Sequence, residues 1–132
     1  MLDRLRIGVL GAGNIGEALI SGLVKASLVE AKQLMASRRS EVALAYLADT
    51  YGIRTTTDNC ELVLENDIII LAAKPQILPS ILEDTEHCFR PGQVVITVAA
   101  GISTAFVESW VKNDIPVIRV MPNTPALVGQ AM

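Results

Sequence analysis

Three glycines near the N-terminus stand at a spacing that suits phosphate binding. Gly11, Gly13 and Gly16 follow a short apolar run at residues 6–10 and precede a helix-period pattern at residues 14–26. The first glycine would make the tight turn out of a strand, the second would admit a pyrophosphate close to its backbone, and the third would let the helix pack on the sheet. The N–H groups and the dipole of that helix favour a bound anion. The pattern therefore predicts a dinucleotide-binding turn.

A basic loop follows the second predicted strand, residues 34–37. It reads Ser37-Arg38-Arg39-Ser40 and lies about twenty residues past the glycine turn. NAD sites usually place an acidic residue here for the ribose 2′-hydroxyl, and such a residue would repel a 2′-phosphate. Two guanidiniums and two hydroxyls can bind that phosphate instead. The loop favours NADP(H) over NAD(H), with a merely solvated basic loop as the alternative.

Strand-like and helix-like patterns alternate along the chain. Further strands are predicted at residues 53–56, 67–71, 94–98 and 116–121, and helices at 14–26, from 40 to a stop at Gly52, at 58–64, at 77–88 and after Ser103. In the first helix the residues predicted to face the sheet are Ile15, Ala18, Leu19, Gly22 and Leu23. The alternation predicts an α/β fold, a Rossmann-type doubly wound and mostly parallel sheet with helices on both faces. The expected strand order is 3-2-1-4-5-6, with the ligand across the carboxyl ends of the strands.

Small residues follow the fourth and fifth predicted strands. They form the runs Ala72-Ala73-Lys74-Pro75 and Ala99-Ala100-Gly101-Ile102. Such loops would let the ribose and nicotinamide pass close to the backbone, although close packing of strand on helix would also explain them. Lys74 either reaches a polar group or is solvated.

Two further polar positions have both a binding and a structural interpretation. Asn59 would hydrogen-bond the adenosine end of a cofactor, or cap the next helix, for which Asp58 is the other candidate. Asn123 and Thr124 lie between two prolines that would hold them near the nicotinamide, and ordinary turn chemistry explains an Asn there equally well.

Composition places limits on the function. The 132 residues suit one domain, and 51% apolar content supports a proper core. A net charge of −3 argues against nucleic acid and membrane surfaces, and neither a membrane-length apolar run nor a signal-peptide layout is present. Cys60 and Cys88 are predicted to be two reduced thiols in a cytoplasmic protein, and His87 a helix-end or surface residue without a metal.

The chain resembles the N-terminal domain of pyrroline-5-carboxylate reductase over essentially its whole length. The matching segments are residues 8–16, 35–38, 73–76, 99–102 and 119–126, of which Lys74-Pro75-Gln76 and the run Met-Pro-Asn-Thr-Pro-Ala at 121–126 are the more specific. The resemblance implies NAD(P)H-dependent reduction of the cyclic imine 1-pyrroline-5-carboxylate, a small molecule, to L-proline in proline biosynthesis. Hydride would go to the imine carbon and a proton to the nitrogen.

The resemblance also implies which residues bind the cofactor. Pyrophosphate would be bound by Leu10, Gly11, Ala12, Gly13, Asn14 and Ile15. The 2′-phosphate would be bound by Ser37 and Arg38, with Arg39 and Ser40, and the adenosine ribose by Asn59. The nicotinamide half would follow Ala72, Ala73, Lys74, Pro75, Val98, Ala99, Ala100 and Gly101. No catalytic residue is assigned within the chain.

The resemblance covers only the first half of that family. Its second half is a helical domain that builds the dimer and much of the substrate site, so homo-oligomerisation is expected to depend on a domain that this chain lacks. The chain alone is expected to keep cofactor binding better than catalysis. The alternatives are a domain of another NADP-dependent imine or β-hydroxyacid oxidoreductase, and a non-catalytic dinucleotide-binding module.

Overall fold

Short β-branched and aliphatic runs form the strands of a six-stranded parallel sheet. The computed structural model describes residues 4–99, 101–112 and 114–120. The strands are β1 (Ile7–Leu10), β2 (Leu34–Ser37), β3 (Arg54–Thr56), β4 (Ile68–Leu71), β5 (Val94–Thr97) and β6 (Val117–Arg119). Their order is β3-β2-β1-β4-β5-β6, and every neighbouring pair is parallel. The predicted fold class and strand order are confirmed.

Five α-helices connect the strands. They are α1 (Asn14–Lys25), α2 (Glu41–Tyr51), α3 (Asn59–Glu65), α4 (Leu78–Thr85) and α5 (Thr104–Val111). The predicted helix at 77–88 is divided into α4 and a 3-10 turn, Glu86–Cys88. Pro79 stands in the first turn of α4, where a proline is tolerated. Among the described residues, no helix is long and apolar enough to cross a membrane.

Local capping signals account for the helix boundaries. The side chain of Ser40 accepts a hydrogen bond from the backbone N–H of Ala43, and that of Ser103 from the N–H of Phe106. Gly52 ends α2 in the left-handed region at φ 75°. A glycine adopts that conformation without the steric penalty that a Cβ would impose.

Side-chain alternation along the strands divides the core between the two faces of the sheet. In β4, Ile69 and Leu71 belong to the cluster that contains Leu78 of α4 and Val107 of α5, whereas Ile70 belongs to the cluster under α1 and α2. Successive side chains of a strand point to opposite faces, so a nearly unbroken apolar run serves a sheet that is covered on both sides.

The predicted inward face of α1 was partly wrong. Ile15 is 38% exposed, and Ala18 and Gly22 are also exposed, whereas Gly16 and Ile20 are buried. A Cβ on Gly16 would lie 3.1 Å from Cγ1 of Val9 on β1, so the helix meets the sheet through this glycine. That contact sets the rotation of the helix and turns Ile15 outward.

Loss of the α3 cap should cost a modest amount of stability. The carboxylate of Asp58 accepts hydrogen bonds from the N–H groups of Cys60 (2.9 Å) and Glu61 (3.3 Å). Asp58→Ala is expected to lower the free energy of unfolding by about 1 kcal/mol. Asp58→Asn keeps the acceptor and should unfold close to the wild type in a urea titration. An equal loss in both variants would contradict the capping role.

Candidate dinucleotide-binding site

The glycine turn lies at the carboxyl ends of β1, β2 and β4. The N–H groups of Gly11 and Ala12 donate to the carbonyl of Ser37 at 3.1 and 2.9 Å. Gly11 has φ +77°, and a Cβ there would lie 2.6 Å from the Cβ of Ala73. The turn is therefore held between β2 and the loop after β4, at the point where the strand order reverses.

The start of α1 presents free N–H groups beside an open surface. Apart from its chain neighbours, a Cβ on Gly13 would meet no atom of the described residues within 4 Å. The first helical hydrogen bond runs from the N–H of Glu17 to the carbonyl of Gly13 (2.8 Å). Among the residues that the structure describes, no side chain caps the helix. The N–H groups of Asn14, Ile15 and Gly16 precede that bond and are available to an anion. This geometry fits a pyrophosphate.

Ser37 lies beneath the turn. Its side chain is fully buried, and its Oγ accepts a hydrogen bond from the N–H of Gly11 at 3.2 Å. The hydroxyl therefore supports the glycine turn from within the sheet. The 2′-phosphate contact that the resemblance implies for Ser37 stays a prediction.

The two arginines of the basic loop are exposed. Nη1 of Arg38 donates to the carbonyl of Ala12 at 3.4 Å, which draws this guanidinium against the glycine turn. Arg39 and Ser40 follow it at the surface, where Ser40 also caps α2. Two positive charges thus lie at the carboxyl end of β2, beside the open N–H groups of α1.

Asn59 is the first residue of α3 and follows the carboxyl end of β3. The structure assigns the cap to Asp58, so the capping alternative for Asn59 is wrong. Within the part of the chain that the structure describes, the amide of Asn59 makes no hydrogen bond. It is half-buried and available to a ligand, and its contact with an adenosine ribose stays a prediction.

The loops after β4 and β5 combine buried small residues with exposed ends. The buried residues are Ala72, Ala73, Val98 and Ala99. Lys74 and Gly101 are exposed, Pro75 is half-buried, and Lys74 forms no ion pair with the described residues. Ala100, Asn123 and Thr124 lie outside the described residues, so their predicted contacts stay predictions.

The prediction of two free thiols was wrong. Cys60 and Cys88 form a disulfide, with Cα atoms 5.8 Å apart and a sequence separation of 28. Their pairing arises because α3 packs beside the 3-10 turn after α4, a contact that no local pattern reveals. His87 is exposed, as predicted, and one of its ring nitrogens lies within 4.8 Å of both sulfur atoms.

Two groups with displaced pKa values lie outside the predicted contacts. The carboxylate of Glu17 accepts a hydrogen bond from the Tyr51 hydroxyl at 2.8 Å, and this bond raises the pKa of Tyr51. Burial lowers the pKa of Arg54, whose guanidinium donates to the carbonyls of Lys32 and Gln33. The first contact joins α1 to α2, and the second joins β3 to the 3-10 turn that precedes β2 (Ala31–Gln33), so both serve the fold.

Comparison with known proteins places this geometry in a family. Residues 6–101 match the family described as NADP oxidoreductase, coenzyme F420-dependent. A pyrroline-5-carboxylate reductase of Corynebacterium melassecola is 40% identical over 129 residues, which make up 96% of this chain and 47% of that protein. The chain therefore spans about half the length of this curated relative.

Two solved structures share the fold. A pyrroline-5-carboxylate reductase from Coxiella burnetii has a TM-score of 0.87 and 28% identity, with 96% of this chain and 47% of that chain covered. The Plasmodium falciparum pyrroline carboxylate reductase with NADP bound has a TM-score of 0.79 and 28% identity, with 96% and 45% covered. The resemblance drawn from the motifs is confirmed. The chain belongs to the family of NADP oxidoreductases described as coenzyme F420-dependent, and its relatives include pyrroline-5-carboxylate reductases.

Proposed function

We propose that this domain binds NADP(H) for the reduction of 1-pyrroline-5-carboxylate to L-proline by the whole protein. The observation that carries the proposal is the open start of α1: the N–H groups of residues 14–16 precede the first helical bond, and Gly13 leaves space for a phosphate above them. Bound NADPH would supply the hydride for the imine carbon. The chain's own residues bind and orient the cofactor.

The preference for NADP(H) rests on the basic loop. Arg38 and Arg39 lie exposed at the carboxyl end of β2, where the ribose of a dinucleotide is recognised in this fold. A guanidinium binds a phosphate through paired, charge-assisted hydrogen bonds. In this proposal Ser37 acts through Gly11, whose N–H its hydroxyl holds. The Plasmodium falciparum relative, solved with NADP, supports the assignment.

The nicotinamide half is proposed to follow the other carboxyl-end loops. Ala72 and Ala73 after β4, and Val98 and Ala99 after β5, are buried and have small side chains, which would let a flat ring pass close to the backbone. Lys74, Pro75, Ala100 and Gly101 complete that half, with Asn123 and Thr124 near the substrate. We assign the remaining substrate contacts and a homo-oligomeric interface to the half of the relatives that this chain does not match. We also propose a cytoplasmic location.

Calorimetric titration with NADPH and with NADH tests the cofactor assignment. This chain is expected to bind NADPH at least about tenfold more tightly, since one phosphate gains a guanidinium partner. Equal affinities would contradict the role of the basic loop, and no binding of either would contradict the dinucleotide site.

A turnover assay tests the reaction separately. The full-length protein is expected to oxidise NADPH only when 1-pyrroline-5-carboxylate is present. NADPH binding without turnover of this imine would support the cofactor site but contradict the assignment as a pyrroline-5-carboxylate reductase. The protein would then be a different reductase or a binding module.

A further inference from the structure

Three side chains converge beside the first turn of α3, directly after Asn59. Cys60 is half-buried in the first turn of α3, Cys88 is 2% exposed in the 3-10 turn after α4, and His87 is exposed beside it. Their ligand atoms all lie within 4.8 Å of one another. The two sulfur atoms are bonded, and the Cα separation of 5.8 Å is that of an ordinary disulfide.

We propose that Cys60 and Cys88 form a reversible thiol–disulfide site that exchanges with low-molecular-weight disulfides of the glutathione class. This inference does not depend on the proposed cofactor function. Three features of the site favour exchange: the two sulfur atoms lie within bonding distance, Cys60 is more accessible than Cys88, and an imidazole lies near both sulfur atoms.

The exposure of the two sulfur atoms sets the order of the reaction. The Cys60 thiolate attacks one sulfur of the small disulfide and forms a mixed disulfide, releasing one small thiolate. The Cys88 thiolate then attacks the Cys60 sulfur, forms the internal bond and releases the second small thiolate. The protein dithiol loses two electrons and two protons, and the small disulfide becomes two thiols. The imidazole of His87, one nitrogen of which lies within 4.8 Å of both sulfur atoms, serves as the base that accepts a thiol proton.

The bond adds a covalent link between two regions that hydrogen bonds also join, because Arg90 and Gln93, just after the 3-10 turn, donate to the carbonyls of Leu64 and Val63 in α3. Leu62, in the same helix as Cys60, is fully buried over β1, where a Cβ on Gly8 would lie 2.6 Å from Leu62 Cδ2. Cys88 and Phe89 are buried in the same core cluster. The disulfide therefore ties α3 to the turn after α4 and limits the opening of that helix from the sheet.

Thiol counting measures the proposal directly. After incubation with oxidised glutathione, the unfolded chain is expected to react with no equivalent of maleimide, and after reduction with two. Oxidation should raise the midpoint of thermal unfolding by about 10 °C. It should also slow hydrogen exchange in residues 59–65 and 86–89. Two free thiols after oxidation, or a midpoint independent of redox state, would overturn the proposal.

Matched variants separate the bond from other effects. Cys60→Ser should abolish the response of the midpoint to oxidation and leave the midpoint near that of the reduced wild type. If Cys60→Ser does not fold, thiol counting on the wild type still tests the proposal.

His87→Gln should slow the exchange reaction several-fold and reach the same final extent of oxidation. An unchanged rate would overturn the role of the imidazole. Protection of both thiols of the reduced protein by one equivalent of zinc, with no disulfide formed by oxidised glutathione, would overturn the proposal in favour of a metal site.

Discussion

Gly11→Ala is expected to lower the free energy of unfolding by about 4 kcal/mol, a large share of the stability of an ordinary domain. Two effects add. A residue with a Cβ is strained at φ +77°, and the new methyl group would lie 2.6 Å from the Cβ and 2.9 Å from the Cα of Ala73. Ala73 is buried and has no rotatable side chain, so only movement of the backbone relieves the clash. Urea unfolding measures the loss.

Gly13→Ala is the matched control for this prediction. Within the described part of the chain, the added methyl group meets no atom within 4 Å apart from its chain neighbours, so the free energy of unfolding should stay within about 0.5 kcal/mol of the wild type. The same methyl group would occupy the surface that the proposed pyrophosphate approaches, so dinucleotide affinity should fall at least about tenfold. Equal stability losses in the two variants would contradict the separate roles of the two glycines. Unchanged affinity in Gly13→Ala would contradict the phosphate site.

Arg38→Asp is expected to weaken NADPH binding about 100-fold and NADH binding by less than about threefold. The wild-type guanidinium is exposed and drawn toward the glycine turn by its bond to the Ala12 carbonyl. The substitution removes a phosphate partner and adds a carboxylate that repels the 2′-phosphate. NADH lacks that phosphate, so its affinity should change little. Calorimetric titration of both cofactors measures the difference between the two losses of affinity. This prediction rests on the proposed function.

Lys25→Asp is the matched control for charge. This substitution makes the same change of two charge units, but on an exposed residue at the end of α1 that is farther from the glycine turn. It should leave both affinities within about twofold, because a solvent-exposed charge more than about 10 Å away is largely screened at ordinary salt. Equal weakening of NADPH and NADH by Arg38→Asp would refute the 2′-phosphate contact. A loss of NADPH affinity in Lys25→Asp as large as in Arg38→Asp would refute local recognition.

The sequence alone determined the elements, the sheet order and the place of the glycine turn. The first five strands begin and end within one residue of their predicted ranges. In β1, β2, β4 and β5 the reason is that a buried parallel strand is a mainly apolar run bounded by polar residues and turns, whereas β3 is half-buried and consists of Arg54 and two threonines. Ser40, Ser103 and Gly52 were predicted at helix ends because capping depends on residues only a few positions apart. The alternation indicated a parallel sheet, since parallel neighbours require helical crossovers, and the strand order followed from the glycine turn, which is typical of the dinucleotide-binding fold.

Tertiary structure decided what depends on residues that are distant in sequence. The close approach of Gly16 to Val9 set the rotation of α1 and turned Ile15 toward solvent. The register of β2 against β1 buried Ser37 under Gly11, so its hydroxyl supports the turn. The packing of α3 beside the 3-10 turn brought Cys60 to Cys88 across 28 positions. Each outcome depends on how two elements pack in three dimensions, and the periodicity of either element alone does not contain that information.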